Sequence, residues 1–367
     1  MENKSLTLFT YIKRDFVHHV RWCGCEDKTS STSTFDIILK TGWTDRMRRG
    51  FFRYHLSDLE TRILPGRYRY VAQLNIQRGI ERRKPQEILS IKQNFDSKQF
   101  NFNKINPEEI IFEMSKQMPT SQHKDRDACK ESVHPGDELC RIMVVVNVSP
   151  LEFGHCLFIP EPTKCLPQVL TPAAIKIGIE AVLLSSDPGF RVGFNSLGAF
   201  ASVNHLHLHG YYLNQELRLE TASTLPLVPE KGFYRLIDFP TGLMFYTETE
   251  DLEKVVCAIC LVTDSLVDGN MAHNLFFTRG CPPGESDVCA RRGVRIVVWP
   301  RMSCFGAKDE SAFNVALCEL AGHLPFKNRH DFEHSTEKDV MAIIQRYLLP
   351  NKEFLQLEQQ LTARLQK

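Results

Sequence analysis

The stretch that decides the fold and the chemistry of this chain is Val203-Asn204-His205-Leu206-His207-Leu208-His209-Gly210-Tyr211-Tyr212-Leu213. Three histidines alternate with apolar residues, and a repeat of two residues is the period of a β-strand. The three imidazoles therefore lie on one face of the predicted strand and the two leucines between them on the other. Three of the chain's thirteen histidines stand in this stretch, and a polar face of imidazoles indicates a ligand, a metal or a reaction.

The composition of the 367-residue chain limits the classes of protein to which it can belong. This length allows one large domain or two medium ones. Because 45 Lys and Arg stand against 44 Asp and Glu, no net positive field attracts nucleic acid or an anionic membrane surface. No apolar run reaches the roughly 18 residues of a membrane span, no signal peptide is evident, and the twelve cysteines are scattered. We expect a cytoplasmic protein that binds neither nucleic acid nor membranes.

Two further patterns are interpreted as structural rather than functional. The basic clusters Arg46-Met47-Arg48-Arg49 and Arg82-Arg83-Lys84 stand among ordinary charged neighbours, which is typical of solvated faces or loops. Cys257 and Cys260 are flanked by apolar residues, and no second cysteine pair stands at zinc-finger spacing. We interpret the apolar run 255–263 around them as a buried strand.

The segments around the histidine stretch predict strands and one helix. Apolar and β-branched runs predict strands at 141–148 and 155–160. A capping threonine and a first-turn proline predict a helix over 172–185. Residues 191–195 predict a strand that enters a loop of small residues, and alternating amide and apolar residues predict another strand over 99–105.

A second block begins after a proline-punctuated linker at 225–230. It predicts strands, two helices and a final amphipathic helix: 233–239, 243–247, 273–278 and 294–300, then 311–321 and 336–348, then the stripe Phe354, Leu357, Leu361 and Leu365. The two blocks resemble each other, which is compatible with a degenerate internal duplication. We expect an α+β fold, an antiparallel sheet with packed helices, divided into a catalytic half at 1–225 and a degenerate half at 226–367.

Three hypotheses account for the histidine row. Two histidines on a strand can bind zinc, but a further ligand is needed and residues 211–215 offer no carboxylate. The histidines can also be structural, each satisfied by hydrogen bonds in a core. In the third hypothesis an imidazole attacks phosphorus, and a covalent phosphoramidate divides one displacement into two easier ones. Three imidazoles on one face favour this third hypothesis.

Nucleophilic catalysis sets requirements that the neighbouring sequence can meet. The second ring nitrogen of the nucleophile must be held by an acceptor, and donors must surround the phosphate oxygens. The flanking histidines and the loop 196–202 can supply these groups. Gly198 and the alanines of this loop let backbone amides approach an anion closely.

Motifs from several parts of the chain carry a resemblance to a known family. Asn195, the loop with Gly198 and residues 202–209 resemble the signature of the histidine-triad superfamily of nucleotidyl hydrolases and transferases, and residues 154–160 are similar to its companion strand. Taken together, four segments resemble the GDP-glucose and GDP-galactose phosphorylases, a family related to galactose-1-phosphate uridylyltransferase: 99–105, 193–198, 204–213 and 314–325.

The resemblance implies roles for individual residues. His207 would be the nucleophile that becomes guanylylated, with His205 and His155 beside it as orienting groups. Asn195 and Ser202 match positions that contact the α-phosphate. His209 departs from the pattern of the uridylyltransferases and plant phosphorylases, which carry glutamine there, and matches the hydrolases instead. This departure leaves open how much of the intermediate is lost to water.

The resemblance also implies an activity. A nucleotidyltransferase of this family would cleave GDP-glucose with inorganic phosphate into glucose 1-phosphate and GDP through a guanylyl-histidine, using no cofactor and no metal. One alternative is a histidine-triad nucleotide hydrolase with water as acceptor. A second is a non-catalytic regulator that binds guanine nucleotides, although such a protein has no need of an intact nucleophile. The sequence predicts no oligomeric state.

Overall fold

The computed structural model describes residues 6–22, 31–83, 86–117, 141–285, 291–305 and 312–367. Within these ranges the strands are Leu8–Tyr11 (β1), Thr61–Ile63 (β2), Val71–Leu74 (β3), Ile110–Lys116 (β4), Ile142–Val146 (β5), Cys156–Pro160 (β6), Phe190–Asn195 (β7), Leu208–Tyr212 (β8), Thr224–Val228 (β9), Phe233–Leu236 (β10), Gly242–Thr247 (β11), Ala272–Gly280 (β12), Gly293–Arg301 (β13) and His323–Phe326 (β14). The helices are Thr34–Arg48 (α1), Ile76–Glu81 (α2), Pro172–Leu184 (α3), Leu252–Asp268 (α4), Leu317–Leu320 (α5), Arg329–His334 (α6), Glu337–Gln345 (α7) and Asn351–Leu365 (α8).

One large sheet of 11 strands runs through both halves of the chain, in the order β1-β4-β5-β6-β8-β7-β12-β13-β11-β10-β9. All of its pairs are antiparallel except β1 with β4 at one edge. A smaller sheet has the order β14-β3-β2. The predicted fold class, an antiparallel sheet with packed helices, is confirmed, with a parallel pair at the edge of the large sheet.

The large sheet is built from two units with the same topology. In each unit three neighbouring strands lead into a long helix, and the helix is followed by two strands that pair in reverse order, so that the second of them lies beside the third strand. The first unit is β4-β5-β6-α3-β7-β8 and the second is β9-β10-β11-α4-β12-β13. The units join where β7 pairs with β12, and Asn195 lies opposite Asn274 at this joint. The repeated order of elements is what an internal duplication would produce.

Helices α3 and α4 cover one face of the sheet. Thr171 caps α3 by accepting a hydrogen bond from the amide of Ala174 at 3.2 Å, and Pro172 follows at the first helical position. The predicted helix at 172–185 is thus confirmed. Leu206 and Leu208 point to this covered face and are fully buried in its core. The histidines that alternate with them point to the opposite face, which is left for the functional site.

Four sequence predictions are wrong in their secondary structure. The segment 225–230, expected as a linker, lies largely in strand β9, which pairs with β10. The run 255–263 lies inside helix α4, because its buried residues repeat with helical spacing. Residues 99–105 contain a single 3-10 turn at 102–104 instead of a strand. The predicted helix near 311–321 is reduced to the one turn of α5, with residue 311 outside the described ranges.

The histidine stretch and the end of the chain were predicted more closely. The strand in the histidine stretch begins only at Leu208, so His205 and His207 precede it in extended backbone. The final helix α8 buries Phe354, Leu361 and Leu365, which confirms the predicted stripe. None of the helices in the described ranges is long and apolar enough to cross a membrane.

Candidate active site

A cavity of about 930 Å³ lies on the face of the sheet that α3 and α4 leave uncovered. Its floor consists of side chains from the central strands β5 to β8. Its walls come from five stretches: residues 75–83, 86–89, 100–109, 198–203 and 314–319. Five of the histidine-triad positions and phosphate contacts predicted from sequence reach this cavity or its rim: His155, His207, His209, Asn195 and Ser202. Gly198 lies in the same wall.

His207 presents a defined ring nitrogen to the cavity. Its Nδ1 atom lies 2.7 Å from the main-chain carbonyl oxygen of His205. Because a carbonyl only accepts hydrogen bonds, Nδ1 carries the ring proton and Nε2 keeps its lone pair. Burial lowers the pKa of His207 to about 4. At neutral pH the ring is therefore uncharged, and Nε2 carries a lone pair.

His155 and His209 form a hydrogen-bonded pair, and the ring proton of each can be assigned from its hydrogen bonds, first in His155 and then in His209. The backbone amide of Leu151 lies 2.7 Å from Nδ1 of His155, so this nitrogen accepts. Nε2 of His155 then carries the proton. This nitrogen lies 3.3 Å from Nδ2 of Asn147, which cannot accept, and 3.1 Å from Nδ1 of His209, which accepts the hydrogen bond. Burial lowers the pKa of both rings well below the ordinary value, so both are neutral. His209 is left with an N–H at Nε2 as a donor for the cavity.

His205 lies beneath the cavity surface rather than in it. Its Nδ1 accepts a hydrogen bond from the amide of Phe102 at 3.1 Å, and the two rings stack with centroids 5.5 Å apart. Burial lowers its pKa to about 4. The part of His205 that reaches His207 is its main-chain carbonyl. Its imidazole supports Phe102, which forms part of the cavity wall.

The side chain of Asn195 is oriented by the second half of the chain. Its Oδ1 atom accepts hydrogen bonds from Nδ2 of Asn274 at 2.6 Å and from the amide of Leu317 at 3.0 Å. Its Nδ2 group is therefore left as a donor toward the cavity. Gly198 adopts the left-handed region, with φ of +74°, and an added Cβ would lie 3.1 Å from the ring of Phe305. Only glycine fits this turn without strain.

Gln168 connects the two strands that carry the site, and nothing in its local sequence marks it. Its Nε2 donates to the carbonyl oxygens of Asn195 at 3.0 Å and His207 at 3.1 Å. Its Oε1 accepts from the amide of His207 at 2.9 Å. The side chain is 1% exposed. Gln168 therefore fixes the backbone of His207, where regular pairing along β8 has not yet begun.

Three cations of the cavity lining, Arg78, Arg82 and Lys327, were not predicted as site residues. Arg78 and Arg82 lie near His155 and His209. Arg78 donates to the carbonyl oxygen of Ser149, and Lys327 donates to Oδ1 of Asn314 at 2.9 Å. Arg82 makes no hydrogen bond or ion pair with another residue of the described ranges. Burial lowers its pKa to about 10, so it stays charged at neutral pH. The cluster at 82–84 was expected on a solvated face or in a loop. Arg82 and Arg83 do follow α2 in irregular backbone, but both line the cavity instead of a solvated face. An anion is the ligand that this side of the cavity favours.

A buried carboxylate lies beside these cations. Oε2 of Glu319 accepts from the amide of Ala316 at 2.9 Å and from the thiol of Cys318 at 3.0 Å. The residue is 4% exposed and lines the cavity. Burial raises its pKa. Its second oxygen, Oε1, has no partner within the described ranges, and it is available to accept a hydrogen bond from a ligand.

The described donor atoms of the site do not form the cluster that the alternative zinc hypothesis requires. Within the described ranges no group of three or more His, Cys, Asp and Glu residues is placed to hold a metal ion. Cys257 and Cys260 lie in helix α4, away from the sheet face that carries the cavity. The histidine nitrogens that face one another are joined by a hydrogen bond instead.

Two family models match the chain in succession. The model described as GDPGP1-like, N-terminal domain matches residues 34–211, and the model described as GDPGP1-like, C-terminal domain matches residues 219–367. Together they cover both repeated units and the whole cavity.

Similar proteins include curated phosphorylases from animals and plants. GDP-D-glucose phosphorylase 1 of Danio rerio is 59% identical over 357 residues, which covers 97% of this chain and 98% of that protein. GDP-D-glucose phosphorylase 1 of Homo sapiens is 52% identical over 323 residues, covering 87% and 80%. GDP-L-galactose phosphorylase 2 of Arabidopsis thaliana is 28% identical over 343 residues, covering 89% and 76%.

A solved structure shares the arrangement of elements. Yeast Ap4A phosphorylase Apa2 superposes with a TM-score of 0.55 at 13% sequence identity, covering 87% of this chain and 98% of that chain. This likeness extends across both halves of the large sheet, and it establishes a common fold.

Proposed function

The chain belongs to the GDPGP1-like family, and on that basis we propose that it is a nucleotidyltransferase that cleaves GDP-D-glucose with inorganic phosphate into glucose 1-phosphate and GDP. The observation that carries the proposal is the tautomer of His207. A neutral ring with its proton held on Nδ1 by the carbonyl of His205 offers a lone pair on Nε2 to the cavity. The names of the relatives at 59% and 52% identity supply the substrate.

In the first step Nε2 of His207 attacks the α-phosphorus of the nucleotide sugar. A P–N bond forms, and the bond from the α-phosphorus to the bridging oxygen breaks. That oxygen leaves with the β-phosphate as glucose 1-phosphate. The ring becomes a cation as it attacks, and the hydrogen bond from Nδ1 to the carbonyl of His205 strengthens with that charge.

Donors around His207 are placed to stabilise the charge that builds on the α-phosphate oxygens. The candidates are Nδ2 of Asn195, Nε2–H of His209 and the hydroxyl of Ser202, all at the cavity surface. A neutral His209 can donate from Nε2 as the amide of a glutamine side chain would. Arg78 and Arg82 lie where they can neutralise the β-phosphate of the leaving group.

In the second step an oxygen of inorganic phosphate attacks the guanylyl phosphorus. The P–N bond breaks, His207 regains its neutral form, and GDP leaves. Water in place of phosphate would give GMP. Each step is an in-line displacement at the same phosphorus, so one set of donors serves both.

Product analysis tests this proposal. The protein is incubated with GDP-glucose, with and without millimolar phosphate, and the products are separated by ion exchange. Glucose 1-phosphate and GDP are expected with phosphate. When phosphate is omitted, we expect GMP to form, at a lower rate than GDP forms in the presence of millimolar phosphate. If GMP forms at the same rate in both conditions, the protein is a hydrolase, and if GDP-glucose is not cleaved, the proposal fails.

We also propose that the reaction takes place in the cytoplasm. The seven cysteines found free in the described ranges support a reducing compartment. Imaging of a tagged full-length chain in its native cell tests the location, and a signal confined to a membrane-bound organelle would contradict it.

A further inference from the structure

The cavity has an apolar end that begins at the nucleophile. The ring centroid of Phe102 lies 5.0 Å from that of His207. From there the wall continues with aromatic and branched side chains: Phe100, Ile105, Val145, Leu157 and Val203. The cations Arg78 and Arg82 lie on the other side, near His155 and His209. A planar base fits the apolar end, while phosphates and a sugar fit the charged end.

Arg83 is an unpaired cation at the apolar end. Its guanidinium carbon lies 3.2 Å from the ring centroid of Phe100, so the two groups are stacked. Within the described ranges it makes no hydrogen bond and no ion pair. The stacking fixes the plane of the guanidinium, and its N–H groups are available to donate hydrogen bonds to a ligand in the cavity.

Glu109 is an acceptor at the same end. Its Oε1 accepts from the amide of Asn106 at 3.3 Å, and its Oε2 has no partner within the described ranges. Burial raises the pKa of Glu109, and the nearby positive charges of Arg83 and Arg53 act in the opposite direction. Arg83 and Glu109 are thus close enough to influence each other but form no ion pair.

We propose that Glu109 and Arg83 read the base of the substrate and select guanine, an inference that rests on the proposed function. Guanine offers donors at N1 and N2 on one edge, and a carboxylate accepts both. It offers acceptors at O6 and N7 on the adjacent edge, and a guanidinium donates to both. Adenine has an unprotonated N1 and no amino group at C2, so it gives the carboxylate no donor. It also turns an amino group instead of O6 toward the guanidinium and keeps only N7 as an acceptor.

The variant Glu109→Gln tests the assignment. Glutamine keeps the size of the side chain and can still accept from the amide of Asn106. Glu108→Gln is a matched control, since Glu108 is the adjacent glutamate, is half exposed and pairs with Arg49 outside the cavity. The readout is kcat/KM for GDP-glucose divided by kcat/KM for ADP-glucose, because a purely structural role for Glu109 would lower both values together.

We expect the ratio to fall by about 10- to 100-fold in Glu109→Gln, the usual discrimination of a bidentate base contact, and to stay within twofold of wild type in Glu108→Gln. Arg83→Lys keeps the charge but loses the fork of donors, and the ratio should fall in the same direction. If the ratio stays within twofold of wild type in both Glu109→Gln and Arg83→Lys, the assignment is overturned.

Equilibrium binding separates this inference from the proposed function. GDP and ADP are titrated into wild-type protein and into Glu109→Gln by calorimetry, with no turnover required. Weaker binding of GDP and unchanged binding of ADP in the variant support base reading even if no nucleotide sugar is cleaved. If the variant binds GDP and ADP more weakly by the same factor, the base-reading inference is contradicted even if GDP-glucose phosphorolysis is established.

Discussion

Asn274 donates a hydrogen bond from its side-chain amide to the side-chain oxygen of Asn195 across 2.6 Å, and this bond joins the two repeated units of the chain at the candidate active site. Asn274 also donates to the carbonyl oxygen of Ala199 at 3.0 Å, and its Oδ1 accepts from Arg301 at 3.1 Å. Both amides are thereby held in one orientation. The second unit carries no histidine on the corresponding face of β13, yet it decides which atom Asn195 presents to the cavity.

Replacement of Asn274 by aspartate should therefore impair catalysis. A carboxylate cannot donate to Oδ1 of Asn195, so the amide of Asn195 must turn or shift, and its donor leaves the α-phosphate. We expect kcat to fall by about 10²-fold, the cost of losing one preorganised donor, with a smaller change in KM. Asn214→Asp, an exposed change after β8, is the control. A kcat within threefold of wild type in Asn274→Asp would contradict the proposal that Asn195 donates a hydrogen bond to the α-phosphate.

His207→Ala should lower turnover by about three or more orders of magnitude, because it removes the covalent route instead of one supporting contact. Steady-state phosphorolysis of GDP-glucose measures the loss. His334→Ala, on an exposed helix, should leave the rate unchanged. Retention of a tenth of the wild-type rate by His207→Ala would show that the nucleophile is another group.

The rate of the first step should not decline as the pH is lowered through the ordinary pKa of histidine, near 6.5. The nucleophile must be neutral, and burial lowers the pKa of His207 from 6.5 to about 4. The fraction of reactive ring therefore stays near its maximum as the pH falls from 8 to about 5. Release of glucose 1-phosphate in a single turnover without phosphate measures this step. A decline with an apparent pKa close to 6.5 would contradict the assigned state of His207.

Acid also destabilises the fold, which sets the control for that experiment. Unfolded histidines bind protons near pH 6.5, whereas His205, His207 and His273 bind them near 4 in the folded protein. The unfolded state then holds more protons between these values, so the free energy of unfolding falls as the pH is lowered through this window. Circular dichroism at each pH confirms that the rate is measured on folded protein.

Removal of metal ions should not abolish the reaction. In the proposed mechanism Asn195, His209 and the arginines of the cavity stabilise the negative charge on the phosphates, so no step requires a metal ion. Activity is compared before and after exhaustive chelation and dialysis. Loss of activity that zinc restores would favour the zinc hypothesis for the histidine row.

The sequence identified the part of the site that is local in the chain. The alternation of histidines and leucines places His207 and His209 on the open face of the sheet because leucines at 206 and 208 are drawn into the core. The loop with Gly198 follows directly from β7, so its place beside the histidines is also a local consequence. These residues needed no knowledge of distant contacts.

The rest of the site depends on distant contacts and left little signal in the sequence. Arg82 and Arg83 look like an ordinary charged cluster, and only the packing of their segment over the sheet brings them into the cavity. Gln168 sits in an irregular segment and acts through backbone atoms of residues 195 and 207. A single sequence does not specify such pairings.

Helix α4, part of which was predicted as a buried strand, shows a different limit of prediction from a single sequence. Its apolar run at 255–263 is as rich in valine and isoleucine as a buried strand, and those residues favour strands. The spacing of Leu252, Val256, Ile259 and Leu266 was the better guide, because these residues lie on one helical face that packs against the sheet. Burial of each such side chain contributes about 1.5–3 kcal/mol, which outweighs intrinsic strand propensity.

The most direct test of the mechanism is to trap the covalent intermediate. Wild-type protein is mixed with GDP-glucose in the absence of phosphate, quenched in base, where a phosphoramidate persists, and examined by intact and peptide mass spectrometry. We predict a mass increase of one guanylyl group that maps to His207, is absent in His207→Ala, and disappears with formation of GDP when phosphate is added before the quench. Phosphorolysis without any adduct, or an adduct on a residue other than His207, would contradict the account.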